Sequence, residues 1–386
     1  MNAGAVVEFM NLIRERMVRL LRLQKNGVGR TKSRRPSLMA AACLSTAIFL
    51  TASPHADQRI PGRTCRVPLA QLIGPRDSLD AQDLWFDARF AEEALAYLDS
   101  GNAELLSGLA GETATLHLLN HARQFDYDVP KDSAESLVRS LLAGESGQGE
   151  HAAICRKSLA YFSGPMLDDV HWVADSLRYL PTDFQFHGSL FLTFGYDIGV
   201  ALAPSASLNG AHSHFAGHPR ELVYYAIHEL HHIGFQTYQP PPRIDSLKTC
   251  ADVRRFVEYA TQMEGMAVLA AYGRRRAENA LGNDADYVAL QDETRMRPLE
   301  AEYFQVYEGI ARRGDAAADA GARSVIEKMS GERLWYRVGA RMAMAIEKAL
   351  GRPALIDLMK QEPARFMETY KRLRPESEHG GTGQCR

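Results

Sequence analysis

Between Arg220 and Phe235 the sequence reads RELVYYAIHELHHIGF, and His228-Glu229-Leu230-His231-His232 sets two imidazoles four residues apart with a carboxylate beside the first. On an α-helix these two rings lie about 40° apart and one turn along, so both can reach one ion. A catalytic zinc takes three protein ligands and leaves a fourth position for water. Glu229 sits to the side of the pair, where a carboxylate can take a proton from that water without occupying a ligand position. His228 and His232 are thus the candidate metal ligands and Glu229 the candidate general base. His231 is the rival ligand, but using it would turn Glu229 farther from the water, so its expected place is behind the ligands or on the surface. The apolar flanks Tyr224, Tyr225, Ala226, Ile227, Ile233 and Phe235 predict a mostly buried helix. Three imidazoles and a carboxylate buried there without a cation would be costly.

The third ligand should come from another helix. Ala251–Tyr272 contains FVEYATQMEGMAVLAAY, in which Glu264 stands in an apolar stretch beside Gly265. A lone carboxylate there needs a partner, and the glycine permits close helix approach. Glu258, on the same helix, is the competitor.

HELHH followed 32 residues after His232 by Glu264 in MEGMA resembles the gluzincin branch of zinc metallopeptidases, whose third ligand is a Glu on a second helix. HELHHIGF, with the closing WYRVGARMAMAIEKALGR and PARFMETY, is similar to bacterial zinc-dependent peptidases, over roughly residues 184–370. The thermolysin-like pattern carries an Asp four residues beyond the ligand Glu, and Val268 stands there instead. The resemblance implies zinc-dependent peptide-bond hydrolysis by metal-activated water, with His228, His232 and Glu264 as ligands and Glu229 as base. It also implies a strand upstream of the motif that binds extended substrate by β-pairing, for which residues 198–203 are the candidate. Tyr336, in WYRVG, is the candidate donor to the developing oxyanion. Peptide or protein substrates are the expected partners.

Other readings compete. His117 and His121 form a second i, i+4 pair without a following Glu, and a second metal site there is the sharper of two readings. His212, His214 and His218 either line the cleft or are solvated loop residues. A site closed by a fourth side chain such as His218 would make the chain a non-catalytic zinc-binding or structural protein. Glu229-x-x-His232 also fits half of a helical di-iron site, whose mate would be Glu376-Ser377-Glu378-His379.

The elements that must hold these residues are mainly helical. Among 386 residues, 46% are hydrophobic, enough for a substantial core, and a formal charge of −2 lacks the basic excess of a nucleic-acid protein. The charge is uneven: residues 1–56 hold nine Lys or Arg against two Glu, leaving 36 basic and 45 acidic residues beyond Ala56. An uncharged run, LMAAACLSTAIFLTA over 38–52, follows that basic block and reads as an export signal, implying a periplasmic or extracellular protein, or a membrane-anchored one if the segment is retained. Of five cysteines, Cys43 lies in that run and Cys65, Cys155, Cys250 and Cys385 remain, so one or two disulfides are plausible after export.

Helical periodicity predicts helices over 79–98, 112–123, 133–142, 151–162 and 165–179, making an all-helical first half, with a Gly-rich linker at 144–149. Aromatic and β-branched residues broken by Gly188, Gly195 and Gly199 predict two or three strands over 184–204, followed by a loop to Pro219. Helices resume over 220–235, 251–272, 285–312, 334–350 and 363–371. The expected fold is mainly α with a small β-sheet (α+β). Its parts are a targeting segment (1–56), a helical N-terminal region (57–180), a zincin-like metallopeptidase unit (181–372) and a flexible tail (373–386).

Overall fold

The computed structural model describes residues 66–73, 79, 81–143 and 149–373. The export signal, Cys43, Cys65, Cys385, most of the expected linker and the tail with Glu376–His379 lie outside the described residues.

A small five-stranded mixed sheet is embedded in helices, as the periodicities predict for a mainly α chain. In chain order the first half supplies β1 (Arg66–Pro68), β2 (Asp83–Asp87), α1 (Arg89–Ser100), α2 (Ala103–Gly111), α3 (Thr113–Gln124), α4 (Ala134–Leu142), α5 (Glu150–Phe162), α6 (Pro165–Asp168) and α7 (Val173–Leu177). Next come β3 (His187–Thr193), β4 (Gly199–Leu202), β5 (Ser205–Asn209), α8 (Glu221–Tyr238), α9 (Cys250–Ala277), α10 (Ala285–Leu290) and α11 (Glu293–Ala311). The chain closes with α12 (Ala320–Gly331), α13 (Leu334–Leu350), α14 (Arg352–Asp357) and α15 (Ala364–Leu373).

The sheet order is β1-β2-β3-β5-β4, with β2, β3 and β5 parallel and the two edge strands antiparallel to their neighbours. The first half is therefore not all helical. The predicted helix over 79–98 begins with strand β2, and the helix proper starts at Arg89 and stops at Gly101, whose left-handed φ of 67° ends it. The predicted loop after Pro204 opens with β5, which closes a tight antiparallel pair with β4. The predicted helix over 285–312 is two helices, α10 and α11.

Helix α8 packs on β4 and β5, and α9 packs on α8 and α13. Two features hold these helices in register. At the α8 start, Arg275 of α9 is buried between the rings of Tyr224 and Tyr287, 4.4 Å from each centroid, and pairs with buried Glu221 at 2.6 Å. Removing one partner of such a pair strands a buried charge, at a cost of about 3–5 kcal/mol. Where α9 crosses α13, Gly265 meets Gly339: a Cβ on Gly265 would lie 2.2 Å from the Gly339 carbonyl carbon, and one on Gly339 would lie 2.3 Å from the Thr261 oxygen. Only glycine at both positions lets the backbones touch, and that contact brings the α9 residue Glu264 and the α13 residue Tyr336 to the motif helix. Among the described residues no helix is long and apolar enough to cross a membrane.

Candidate metal centre

The apolar flanks of the motif do bury α8, from which His228 and His232 face Glu264 of α9 and Glu229 faces Gly199 of β4. The His228 and His232 rings stand nearly perpendicular, with centroids 4.4 Å apart. Their Nε2 atoms lie 3.1 and 3.2 Å from one oxygen of Glu264, which reaches across from the middle of α9. Donor atoms at neighbouring corners of a zinc tetrahedron, with bonds of about 2.0–2.1 Å, are about 3.3–3.4 Å apart. The two nitrogens and the carboxylate therefore have nearly the spacing of a shared cation's ligands. Glu229 is close as well: the donor atoms of His228, Glu229 and His232 all lie within 4.8 Å of one another. With neutral imidazoles, His228, His232 and Glu264 carry one negative charge, and Glu229 adds a second when it is ionised, a fit to a divalent cation.

Electrostatics divide the two carboxyls. Burial alone would raise Glu264, but the charge on His232 and the hydrogen bonds from both imidazoles outweigh it and hold the carboxyl well below the usual range. Burial pushes Glu229 up to about 8, with His232 opposing and the charges of Glu264 and Asp197 adding. One acid is thus held ionised, and the other favours holding a proton. Burial and the neighbouring His232 lower His228, whereas the Glu264 and Glu229 charges overcome burial at His232 and raise it.

Tyr336 stacks on His228, with ring centroids 6.4 Å apart and planes 19° from parallel. Burial and the Glu264 charge keep its phenol protonated well above the ordinary tyrosine range, so it remains a donor. Residues 198–203 form the end of the sheet beside the cluster, with β4 as an edge strand. Asn209 donates to the Ile198 carbonyl, which turns the polar groups of Gly199, Ala201 and Ala203 away from β5. The Gln236 carboxamide occupies two of them, accepting from Ala203 and donating to Ala201. That leaves the groups of Gly199, the Ala201 N–H and the Ala203 carbonyl.

The rival candidates go elsewhere. Glu258 is buried toward α11, accepting a 2.5 Å hydrogen bond from Tyr307. His231 is fully buried, not on the surface, and burial pushes its ring down to about 3. His117 and His121 are buried beside the sheet: His121 lies 2.9 Å from the Tyr196 hydroxyl and His117 3.5 Å from the Val200 carbonyl oxygen. No carboxylate joins them in a cluster of metal-ligand geometry among the described residues. His214 pairs with Glu221 at 3.3 Å, His212 accepts from the His214 N–H, and His218 is exposed on the loop before α8. Cys155 and Cys250 are buried free thiols.

Three residues at the site were not singled out for it by the sequence. Gly199 faces Glu229 so closely that a Cβ would lie 2.6 Å from Oε1; the glycine punctuation of this stretch was visible, its purpose was not. Asp197 accepts from Tyr127 at 2.8 Å, and burial raises its carboxyl. Arg333 lies over the Tyr336 ring at 3.7 Å and gave no sequence signal.

A family model described as "Putative zinc dependent peptidase (DUF5700)" matches residues 172–376. No curated protein and no solved structure matches the chain.

Proposed function

The chain belongs to the DUF5700 family, and from that premise we propose that it hydrolyses peptide bonds with a gluzincin-like zinc site made of His228, His232 and Glu264. The observation that carries this reading is the approach of Glu264 to both imidazoles within 3.2 Å. Zinc, when bound, supplies Lewis-acid polarisation of the carbonyl and activation of water. Glu229 takes the proton of the attacking water and passes it to the leaving amine, which suits a carboxyl whose affinity for protons is raised by burial. Tyr336 donates its phenol hydrogen to the carbonyl oxygen as charge develops there. Gly199, pressed against Glu229, offers the nearest free backbone groups for an extended substrate, and Gln236 limits pairing farther along β4. Export of the chain through its N-terminal segment belongs to the same proposal and makes the substrates extracytoplasmic peptides.

The test is zinc analysis of the purified chain beside a peptide-library digest with and without chelator. Cleavage should vanish with the metal. Glu229→Gln should keep one zinc per chain and lower kcat by about 10²–10⁴; full activity in that variant would exclude the scheme.

A further inference from the structure

Arg333 stands immediately before α13 with a φ of 53°, in the left-handed region that side chains other than Gly, Asn and Asp rarely enter. Asp286 holds it there. The Arg333 Nε donates to one Asp286 oxygen at 2.6 Å, and Arg337, one turn on, donates its own Nε to the other at 2.7 Å. The next carboxylate, Asp284, is engaged by Tyr225 and Arg275. Among the described residues the two terminal amino groups of Arg333 make no hydrogen bond, and its side chain is 39% exposed.

The guanidinium is stacked 3.7 Å from the centroid of Tyr336, whose ring in turn stacks on His228. An Arg fixed at Nε and free at both Nη groups presents two parallel donors, the fork that binds a carboxylate bidentately. It also sits at the positive end of a 17-residue helix whose N-cap makes no side-chain capping bond, so the first-turn N–H groups add a field of the same sign. The stacking distances put the guanidinium no more than about 10 Å from the His228 ring, and an extended peptide advances about 3.3–3.6 Å per residue.

The geometry points to Arg333 as the anchor for a substrate carboxylate lying within about three residues of the scissile bond, a specificity role that rests on the peptidase reading above. The carboxylate has two sources, the C-terminus of a short peptide or an acidic side chain. Two matched pairs of peptides separate them: a free C-terminal acid against its amide, and an amidated peptide with Glu against the same peptide with Gln.

The zinc-loaded wild-type chain should favour the acid of one pair by about ten- to a hundredfold in kcat/KM, mainly through KM, the range of a hydrogen bond to a charged group. Arg333→Gln should erase that preference, and Arg333→Lys should restore part of it. Arg333→Asn, whose side chain tolerates the left-handed backbone, gives a second charge-free variant with less strain. A purely structural Arg would leave the acid-to-neutral ratio unchanged in every variant, and that result overturns the proposal. Calorimetric binding of the same peptides to zinc-loaded Glu229→Gln, with and without Arg333→Gln, reads the anchor without turnover. If the wild type cleaves nothing while binding keeps the acid preference, the peptidase reading fails and the anchor stands. Equal binding of acid and neutral peptides rules the anchor out.

Discussion

Two histidine pairs share the same i, i+4 spacing on α-helices of this chain and meet opposite fates. His117 and His121 of α3 lie against a backbone carbonyl and a tyrosine hydroxyl, and burial holds both rings neutral, with His117 pushed down to about 4. His232 of α8 is as deeply placed and His228 is partly buried, yet a carboxylate from α9 reaches between them and raises the affinity of His232 for protons. Helical spacing makes two imidazoles able to share an ion. A third, anionic donor from another element gives them reason to, and among the described residues only the second pair has one. The Gly265–Gly339 crossing supplies it, because any larger residue there would hold α9 and α13 apart.

The comparison breaks most visibly at its third donor. Glu264→Ala should reduce bound zinc from one per chain to none and abolish hydrolysis, while His121→Ala should leave one zinc per chain; inductively coupled plasma analysis of both proteins distinguishes them. Zinc retained by Glu264→Ala would equate the two pairs. A smaller effect tests the wall of the second pair. Tyr336→Phe should keep the metal and lower kcat by about 10²–10³ with little change in KM, the cost of one missing oxyanion donor.

The smallest effect sharpens the contrast from the other side. His117 has its folded value lowered from 6.5 to about 4, so the unfolded chain takes up a proton that the folded chain refuses as pH falls between those limits. Its contribution is complete above 6.5 and shrinks below, amounting to about 2 kcal/mol lost between pH 7 and pH 5. Urea unfolding of metal-free His117→Gln should show a shallower loss over that window than the wild type. An unchanged pH slope would mean His117 is not held neutral by burial.

The helix pair that brings Glu264 to His228 and His232 was more legible than the sheet. The motif helix, the partner Glu in an apolar stretch and the glycine beside it are local signals, each readable from residue type and spacing. Leu334–Leu350 likewise has the bounds its periodicity predicts. Strand β2 was hidden because its apolar residues continue in register into α1, and the parallel strand it pairs with begins at His187, far along the chain. Strand β5 was hidden by Pro204, read as the start of a loop. Arg333, Asp197 and Gly199 matter through tertiary neighbours: a buried Asp286, a tyrosine of the first half, the Glu229 carboxylate. No window of sequence contains those contacts.

X-ray absorption spectroscopy at the zinc edge, on the wild type and on Glu264→His, which offers a third imidazole in place of the carboxylate, bears most directly on the claim that two imidazoles and one carboxylate share a cation. The wild-type shell should hold two imidazole nitrogens near 2.0–2.1 Å and oxygen donors at about 2.0–2.2 Å, with the protein oxygen lost in the variant. A wild-type shell with one imidazole or none, or one unchanged by removing Glu264, would contradict the account.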